Sequence, residues 1–342
     1  MTTNRSSPPV TLRDVAKASG VSFQTVSRVV NNSPDVSART RRQVLEAIET
    51  LGYQPNLVAR GLKTGQSMVL EMITFGVDTF VPRELLEALG STADKHGYRI
   101  LFSDVVAENP AAIRSILPRL NSRMCDGVLI TSPVDNAAFD HLIESKPSVP
   151  IVQVRNDRAQ VYPSVLVDQN AGSQAATQHL IDLGHRRIAE ISGPLHWHEA
   201  GMRHRSFMAT LAAAGLSPAA FIEAKSWMPP SGYEAVMQLL DSSASFSALV
   251  IANDYLALGA ILALSERGLH VPDDISIVGF DDTPEAAYFM PPLTTVRQDY
   301  QALGQQSVEY LIDLINNPET PIYHRVLIPQ LIERKSTRPY TD

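Results

Sequence analysis

Residues 11–30 read TLRDVAKASGVSFQTVSRVV, two short stretches of helical spacing joined at one glycine. Thr11 precedes the first stretch as a cap, and Asp14 at the third helical position answers it. Leu12, Val15 and Ala16 then share one face. Gly20 ends the helix with a tight turn. Ser22 is the next cap. The second helix runs from about Phe23 to Val30, with Val26, Val29 and Val30 as its apolar stripe. Gln24, Thr25 and Arg28 face the other way, and Gln24 and Arg28, four apart, lie on one surface. Asn31 and Asn32 break the helix. Ser37 caps a third, longer helix whose Val44, Leu45, Ile48 and Leu51 face inward, and Gly52 closes it.

Two short helices about a glycine turn, buried by a third, make a helix-turn-helix unit. A recognition helix of that kind explains the polar side of residues 23–30. Arg matches guanine O6/N7 and Gln matches adenine N6/N7 in the major groove, each pair worth about 1–3 kcal/mol of discrimination. The hydroxyls and helix N-termini around it suit phosphates. Spacing alone leaves open a three-helix bundle with a polar surface helix. Charge leans toward a polyanion partner. Residues 1–65 carry nine Lys and Arg against four Asp and Glu, a balance of +5, whereas the remaining chain carries 20 against 32, a balance of −12.

The 342-residue chain is 44% hydrophobic and 19% charged, the composition of a globular protein. No apolar run approaches the ~20 residues of a membrane span. MTTNRSSPPV lacks the apolar segment of a signal peptide. A single cysteine, Cys125, excludes an internal disulfide. These features point to the cytoplasm and to no membrane partner. After residue 65, MVLEMIT, RILFS, DGVLIT, PIVQV, SVLVD, RIAEIS, ALVIA and SIVGF alternate with helical patterns, as in βαβ units with parallel sheets. About 275 residues is too long for one such sheet, so two similar lobes are expected.

The run VTLRDVAKASGVSFQTVSRVVNNSPDVSARTRRQVLEAIETLGYQPNLVARGLKTGQS, with VIANDYLALGAI and DISIVGFDDTPEAAYFMPPLTTVRQDYQALGQQSVEYLIDLI further on, resembles the LacI/GalR family of bacterial transcriptional regulators. The resemblance extends from Val10 to about Thr337 and is weakest over residues 68–123. It implies a small all-α helix-turn-helix head plus an α/β body of two doubly wound parallel-sheet lobes, periplasmic-binding-protein-like. The implied division is a tail at 1–9, a DNA-binding domain at 10–54, a hinge at 55–66 and an effector-binding body at 67–340. Within the body, lobe one takes 67–165 and 295–325, and lobe two takes 166–294 and 326–340. Phe23, Gln24 and Arg28 would then read bases, Phe23 by apolar contact because it replaces a tyrosine. Leu12, Ser22, Thr25, Ser27, Asn31, Ser37 and Thr40 would lie at or near phosphates. Asn56 and Ala59 would enter the minor groove, with Leu62 as the wedge between base pairs. The hinge would become helical only beside its dimer mate on DNA.

A ligand in such a body sits at the carboxyl ends of the strands. Asn253, Asp281 and Arg203 offer the paired polar contacts a sugar needs, and Trp227 an aromatic platform. Read alone, Asp281 is equally a strand-end cap and Trp227 a core aromatic. The resemblance points to the same four and adds Gln298, Tyr300, Pro82 and Leu85. It also marks departures at Arg155, where an acid is usual, and Glu199, where a small hydroxyl residue is usual, together with Phe75, Thr79 and Val81. Arg155 then either pairs with Glu199 across the cleft or meets a ligand carboxylate or further hydroxyls.

His196, His198 and His204 lack the spacing of a zinc site. No G-x-S-x-G, H-E-x-x-H or phosphate-loop motif occurs. No cofactor or metal is expected. The function implied is a sequence-specific repressor of double-stranded operator DNA, controlled by a small-molecule effector, a sugar or glycoside. The operator is expected to have a CG-like step at its dyad. Only RKSTRPYTD follows Glu333, so a homodimer rather than a tetramer is expected. The competing classes are a sugar-binding protein without a regulatory role and a sugar-acting α/β enzyme. The basic head argues against the first. Against the second, Asp281 and Asp282 are adjacent rather than a flanking pair.

Overall fold

A computed structural model of the chain describes residues 10–30, 33–53, 66–75, 82–105, 116–118, 120–122, 124–131, 142, 144–145, 147–155 and 162–341. Asn31, Asn56, Ala59, Leu62, Thr79 and Val81, with the tail and nearly all of the hinge, lie outside the described residues. The chain divides into a head, Met1–Ser67, and a body, Met68–Asp342.

The head holds α1 (Leu12–Ser19), α2 (Phe23–Val30) and α3 (Ala38–Leu51). Its helix starts are written in short-range hydrogen bonds. The Thr11 amide and hydroxyl donate to the Asp14 carboxylate at 2.8 and 2.7 Å. The Thr25 amide donates to Ser22 Oγ at 3.1 Å, and the Thr40 amide to Ser37 Oγ at 3.2 Å. Each such cap contributes about 1 kcal/mol. Gly20 and Gly52 close α1 and α3 in the left-handed region, φ 64° and 61°. Val15, Val26, Val29 and Val44 form a buried core against which Leu12, Val30, Ile48 and Leu51 pack. Leu45 departs from expectation. It is half exposed, because two eight-residue helices cover only a narrow stripe of the fourteen-residue α3.

Among the described residues the body has two six-stranded sheets. The first contains β1 (Val69–Phe75), β2 (Arg99–Val105), β3 (Gly127–Thr131), β4 (Ile151–Arg155), β5 (Ser164–Val167) and β11 (His324–Leu327), in the order β11-β5-β4-β3-β1-β2 and parallel throughout. The second contains β6 (Ile188–Ser192), β7 (Phe221–Glu223), β8 (Ala248–Ile251), β9 (Ser276–Asp281), β10 (Thr294–Arg297) and β12 (Gln330–Ile332), in the order β12-β10-β9-β8-β6-β7. Its strands are parallel as expected except at one edge, where β12 runs antiparallel to β10. The chain reaches β12 only two residues after leaving β11, too few for the crossover a parallel strand requires.

Helices cover these sheets: α4 (Arg83–Lys95), α5 (Gln169–Asp182), α6 (His198–Ala213), α7 (Pro229–Asp241), α8 (Asp254–Glu266) and α9 (Tyr300–Asn316). α4 and α9 pack together on lobe one, and α5 and α6 on lobe two. Strands β3, β6, β8 and β9 are buried along their whole length, which is why they read as unbroken apolar runs. Each buried Val, Leu or Ile in them contributes about 1.5–3 kcal/mol.

Strand membership moves the expected lobe boundaries. β5 reaches Val167 in the first sheet, β10 reaches Arg297 in the second, and β11 reaches Leu327 in the first. The crossings therefore follow residues 167, 297 and 327. A strand runs to its end in its own sheet before the chain crosses, so boundaries at 165, 294 and 325 fall inside strands. The segment RKSTRPYTD belongs to lobe two. Ser336 Oγ donates to the Ile277 carbonyl and accepts from the Thr294 amide, both at 2.7 Å.

Candidate effector site and nucleic-acid interface

Three of the four non-glycine residues with positive φ among the described residues stand at one place in the body: Arg155 (77°), Asp281 (110°) and Asp282 (55°). Such conformations cost roughly 1–3 kcal/mol each and persist where the surroundings enforce them. They lie at the carboxyl ends of β4 and β9, where the two lobes meet. A small cavity opens there, lined by Arg155, Trp197, Glu199, Arg203, Trp227, Asn253, Asp281 and Tyr300.

Arg203, on the inner face of α6, organises the floor. Its Nε donates to Gln169 Oε1 at 2.8 Å, its Nη1 donates to the Ala252 carbonyl, and its Nη2 lies 3.7 Å from Asp281 Oδ1. The guanidinium lies 3.7 Å from the Phe280 ring centre and 5.7 Å from that of Trp227. Burial holds the Arg203 guanidinium below its usual range, with Asp281 opposing. Burial also raises the Asp281 carboxyl, with Arg203 as the main counterweight. Asp281 Oδ1 accepts from Gln298 Nε2 at 2.6 Å and from the Tyr300 hydroxyl at 3.3 Å. Burial and Asp281 push the Tyr300 hydroxyl well above the ordinary phenol range, so Tyr300 is a donor.

Asn253 caps α8 by accepting from the Leu256 amide at 2.8 Å, and its Nδ2 donates to the Trp227 carbonyl at 3.2 Å. That bond fixes the loop carrying Trp227. The Trp227 ring meets Trp197 edge-on at 5.6 Å and lies against Gly193, where an added Cβ would fall 2.3 Å from it. Only glycine at 193 leaves room for the indole. Arg155 Nη2 lies 3.6 Å from Glu199 Oε1. Burial works to lower the Arg155 guanidinium, yet Glu199, Tyr300 and Asp281 together raise it. Among the described residues, the buried Glu199 oxygens and Trp227 Nε1 have no hydrogen-bond partner.

Beside this cavity a larger groove is lined by Pro82, Glu84, Tyr255, Asp282, Gln298 and Asp299 among others, with Asp281 and Tyr300 shared between the two spaces. The structure thus gathers Arg155, Glu199, Arg203, Trp227, Asn253, Asp281 and Tyr300 around one cavity and sets Pro82 and Gln298 beside it. Leu85 does not join them. It is fully buried in the lobe-one core with Leu70, Met72 and Leu303, because its position on α4 faces the sheet. Phe75 ends β1, and its side chain lies outside the described residues.

Sequence reasoning missed Trp197, which shares the cavity, and Gln169, which orients Arg203. Trp197 carried one signal, an aromatic just before a helix start. Gln169 carried none beyond its place after a strand. Of the histidines, His204 Nδ1 lies 2.6 Å from Glu190 Oε2 and its ring packs on Phe221. No cluster able to hold a metal ion occurs among the described residues.

In the head, Phe23, Gln24 and Arg28 project from α2 into solvent. Gln24 and Arg28 make no hydrogen bond or ion pair among the described residues. Phe23 is 51% exposed, an apolar ring in water at the start of a helix otherwise well packed beneath. Ser22, Ser37, Thr25 and Thr40 ring the starts of α2 and α3, where the hydroxyls pair as Ser22–Thr25 at 2.9 Å and Ser37–Thr40 at 2.8 Å. Ser27 is half-buried on α2, and Leu12 is half-buried at the first turn of α1.

Comparison with known proteins gives this geometry a context. A family model described as bacterial regulatory proteins, lacI family, matches residues 11–56, and a periplasmic binding protein-like domain matches 177–337. The lactose operon repressor of Escherichia coli (strain K12) is 35% identical over 329 residues, 96% of this chain and 91% of the relative. A crystal structure of the lac repressor dimer bound to operator and the anti-inducer ONPF superposes with TM-score 0.85 at 35% identity, covering 97% of this chain and 100% of that one. A complex of the transcriptional regulator CelR with cellobiose gives TM-score 0.71 at 29% identity, covering 96% and 99%. Among the described residues no helix is long and apolar enough to cross a membrane. With a head of this helix order, a body of two crossed-over lobes and identity sustained from end to end, the chain belongs to the lacI family of bacterial regulatory proteins.

Proposed function

We propose that this protein is a cytoplasmic, homodimeric transcriptional repressor whose grip on double-stranded operator DNA is released by a sugar or glycoside bound between the lobes. The observation that carries the reading is the cavity where the lobes meet. There a buried Arg203–Asp281 pair sits beside the Trp227 indole, with polar atoms left open toward the space. A sugar ring offers the complement: hydroxyls for the charged pair and an apolar face for the indole. The same chain exposes Phe23, Gln24 and Arg28 on the helix that enters the major groove in helix-turn-helix proteins.

In this reading Arg28 and Gln24 hydrogen-bond to base edges, and Phe23 packs on a thymine methyl. Ser22, Thr25, Ser27, Ser37 and Thr40 hold phosphates through their hydroxyls and the helix starts they cap, and Leu12 through its amide in the first turn of α1. Asn31, Asn56, Ala59 and Leu62 take their roles from the family resemblance alone. The effector contacts are Arg155, Glu199, Arg203, Trp227, Asn253, Asp281 and Tyr300, with Gln298 and Pro82 at the rim. Phe75 and Thr79 join them on the resemblance alone.

Selection of duplexes from a randomised pool by the full-length protein tests the reading. A pseudo-palindrome is expected, with affinity falling steeply as salt rises. Arg28→Ala then costs about 1–3 kcal/mol of discrimination at one base pair per half-site. Uniform weakening over all sequences would make Arg28 a phosphate contact instead. A pool from which no sequence is enriched would refute operator recognition.

A further inference from the structure

The Glu199 carboxylate lies in the first turn of α6, 2% exposed, and among the described residues neither of its oxygens accepts a hydrogen bond. The nearest cation, Arg155 Nη2, is 3.6 Å away, beyond a proper hydrogen bond. A buried acceptor left open is costly, and each such case in a native protein calls for an explanation. Trp227 Nε1, a donor lining the same cavity, is open as well. The open atoms at this place are thus two acceptor oxygens and one donor.

Charge sharpens the requirement. Arg155 and Arg203 are the cations of the cavity lining, and each already faces a carboxylate, Glu199 for the first and Asp281 for the second. Among the described residues, an anion entering the cavity would find no uncompensated positive charge and two carboxylates. The adjoining groove is no kinder to an anion. Glu84, Glu87, Glu285 and Asp299 line it, and its two arginines, Arg83 and Arg297, are bound to Glu87 and Asp282 at 2.6 Å each.

We propose that this site selects an uncharged polyol: ligand hydroxyls donate to both Glu199 oxygens, a ligand oxygen accepts from Trp227 Nε1, and sugar acids and sugar phosphates are refused. The proposal rests on the reading of the cleft as a sugar site and adds the class of sugar. It also gives Arg155 a purpose. Arg155 stands on β4 of lobe one and Glu199 on α6 of lobe two, so the pair spans the lobes and offsets the charge of the carboxylate that the ligand completes.

Isothermal titration of the full-length protein with matched sugars tests this. The probes are glucose, glucuronate and glucose 6-phosphate; galactose, galacturonate and galactose 6-phosphate; and the disaccharides cellobiose and lactose. A neutral sugar is expected to bind, with its acid and phosphate counterparts at least 30-fold weaker. Glu199→Gln, which keeps the shape but replaces one acceptor by a donor, is expected to weaken the neutral sugar roughly 10–100-fold, the size of one or two hydrogen bonds to a charged group. A uronate or phosphate that binds as tightly as its neutral parent overturns the proposal. So does a folded Glu199→Gln protein of unchanged affinity. The wild-type panel decides alone if that variant does not fold. If none of these sugars binds, the sugar reading itself falls, an outcome distinct from a sugar binding with the wrong charge preference.

Discussion

The two lobes are built on one strand plan but, among the described residues, share the cavity unequally. Trp197, Glu199, Arg203, Trp227, Asn253 and Asp281 come from lobe two, whereas lobe one contributes Arg155 on β4 and Tyr300 at the start of α9. The buried network follows the same division. Arg203 is held by Gln169, Ala252, Asp281 and the Phe280 ring, all from lobe two. In the proposed reading lobe two is a preorganised receptor, and Arg155 and Tyr300 are the described lobe-one side chains that meet the occupant. A ligand changes a conformational balance only by its differential affinity for the two states. In the proposed reading Arg155 and Tyr300 carry part of that difference.

Removing the keystone of lobe two is expected to have the largest effect. Arg203→Met leaves Asp281 buried without its cation, and breaking such a pair costs about 3–5 kcal/mol. Urea unfolding should show that loss, together with loss of measurable sugar binding. A variant as stable as the parent would mean that lobe two is not held by this network.

The next effect also belongs to lobe two. Burial pushes the Asp254 carboxyl up to about 8, helped by neighbouring Asp281, and the Glu190 carboxyl up to about 7, with His204 opposing. A carboxyl that holds its proton more tightly folded than unfolded stabilises fully below its unfolded value and loses that contribution as pH rises through the folded value. Lobe two should therefore weaken between about pH 4.5 and 8, by at most ~1.4 kcal/mol per pH unit for each proton. Hydrogen exchange followed strand by strand should place the loss in β6, β8 and β9. Asp254→Asn is expected to be less stable throughout, because an amide replaces the acceptor of the Thr283 N–H, but flatter in pH. Equal pH slopes in wild type and variant would contradict this assignment.

The smallest effect on binding belongs to lobe one. Arg155→Met should change sugar affinity less than tenfold, or ~1.4 kcal/mol, since most contacts remain. The coupling of sugar to DNA should suffer instead. If Arg155→Met abolished sugar binding as Arg203→Met does, the division between receptor and reporter would be wrong.

How far these features could be read beforehand depended on the range of the interaction. The head was legible because its signals are local: Thr11 with Asp14, Ser22 with Thr25 and Ser37 with Thr40 mark three helix starts within four residues each. Leu45 misled because spacing fixes a face but not how much of it the neighbours cover. In the body, apolar runs located strands β3, β6, β8 and β9, and the crossings were misplaced by two or three residues where a strand continued beyond the expected cut. Asn253 and Asp281 were legible as strand-end polar groups, and Arg203 and Trp227 as a cation and an aromatic of the kind a sugar cleft needs. Gln169 and Trp197 were not, because what makes them matter is a contact made across more than 25 residues of chain. Leu85 shows the converse: position along the chain suggested the cleft, and the helix turned the side chain into the core.

The central claim is that a molecule lodged between the lobes controls a head that grips DNA. Fluorescence anisotropy of a selected operator with the full-length dimer, titrated at fixed salt with a sugar shown to bind, tests it most directly. The account predicts that saturating sugar lowers operator affinity at least tenfold in the wild type, and much less in Arg155→Met. Operator affinity unmoved by a sugar that fills the cleft would contradict it.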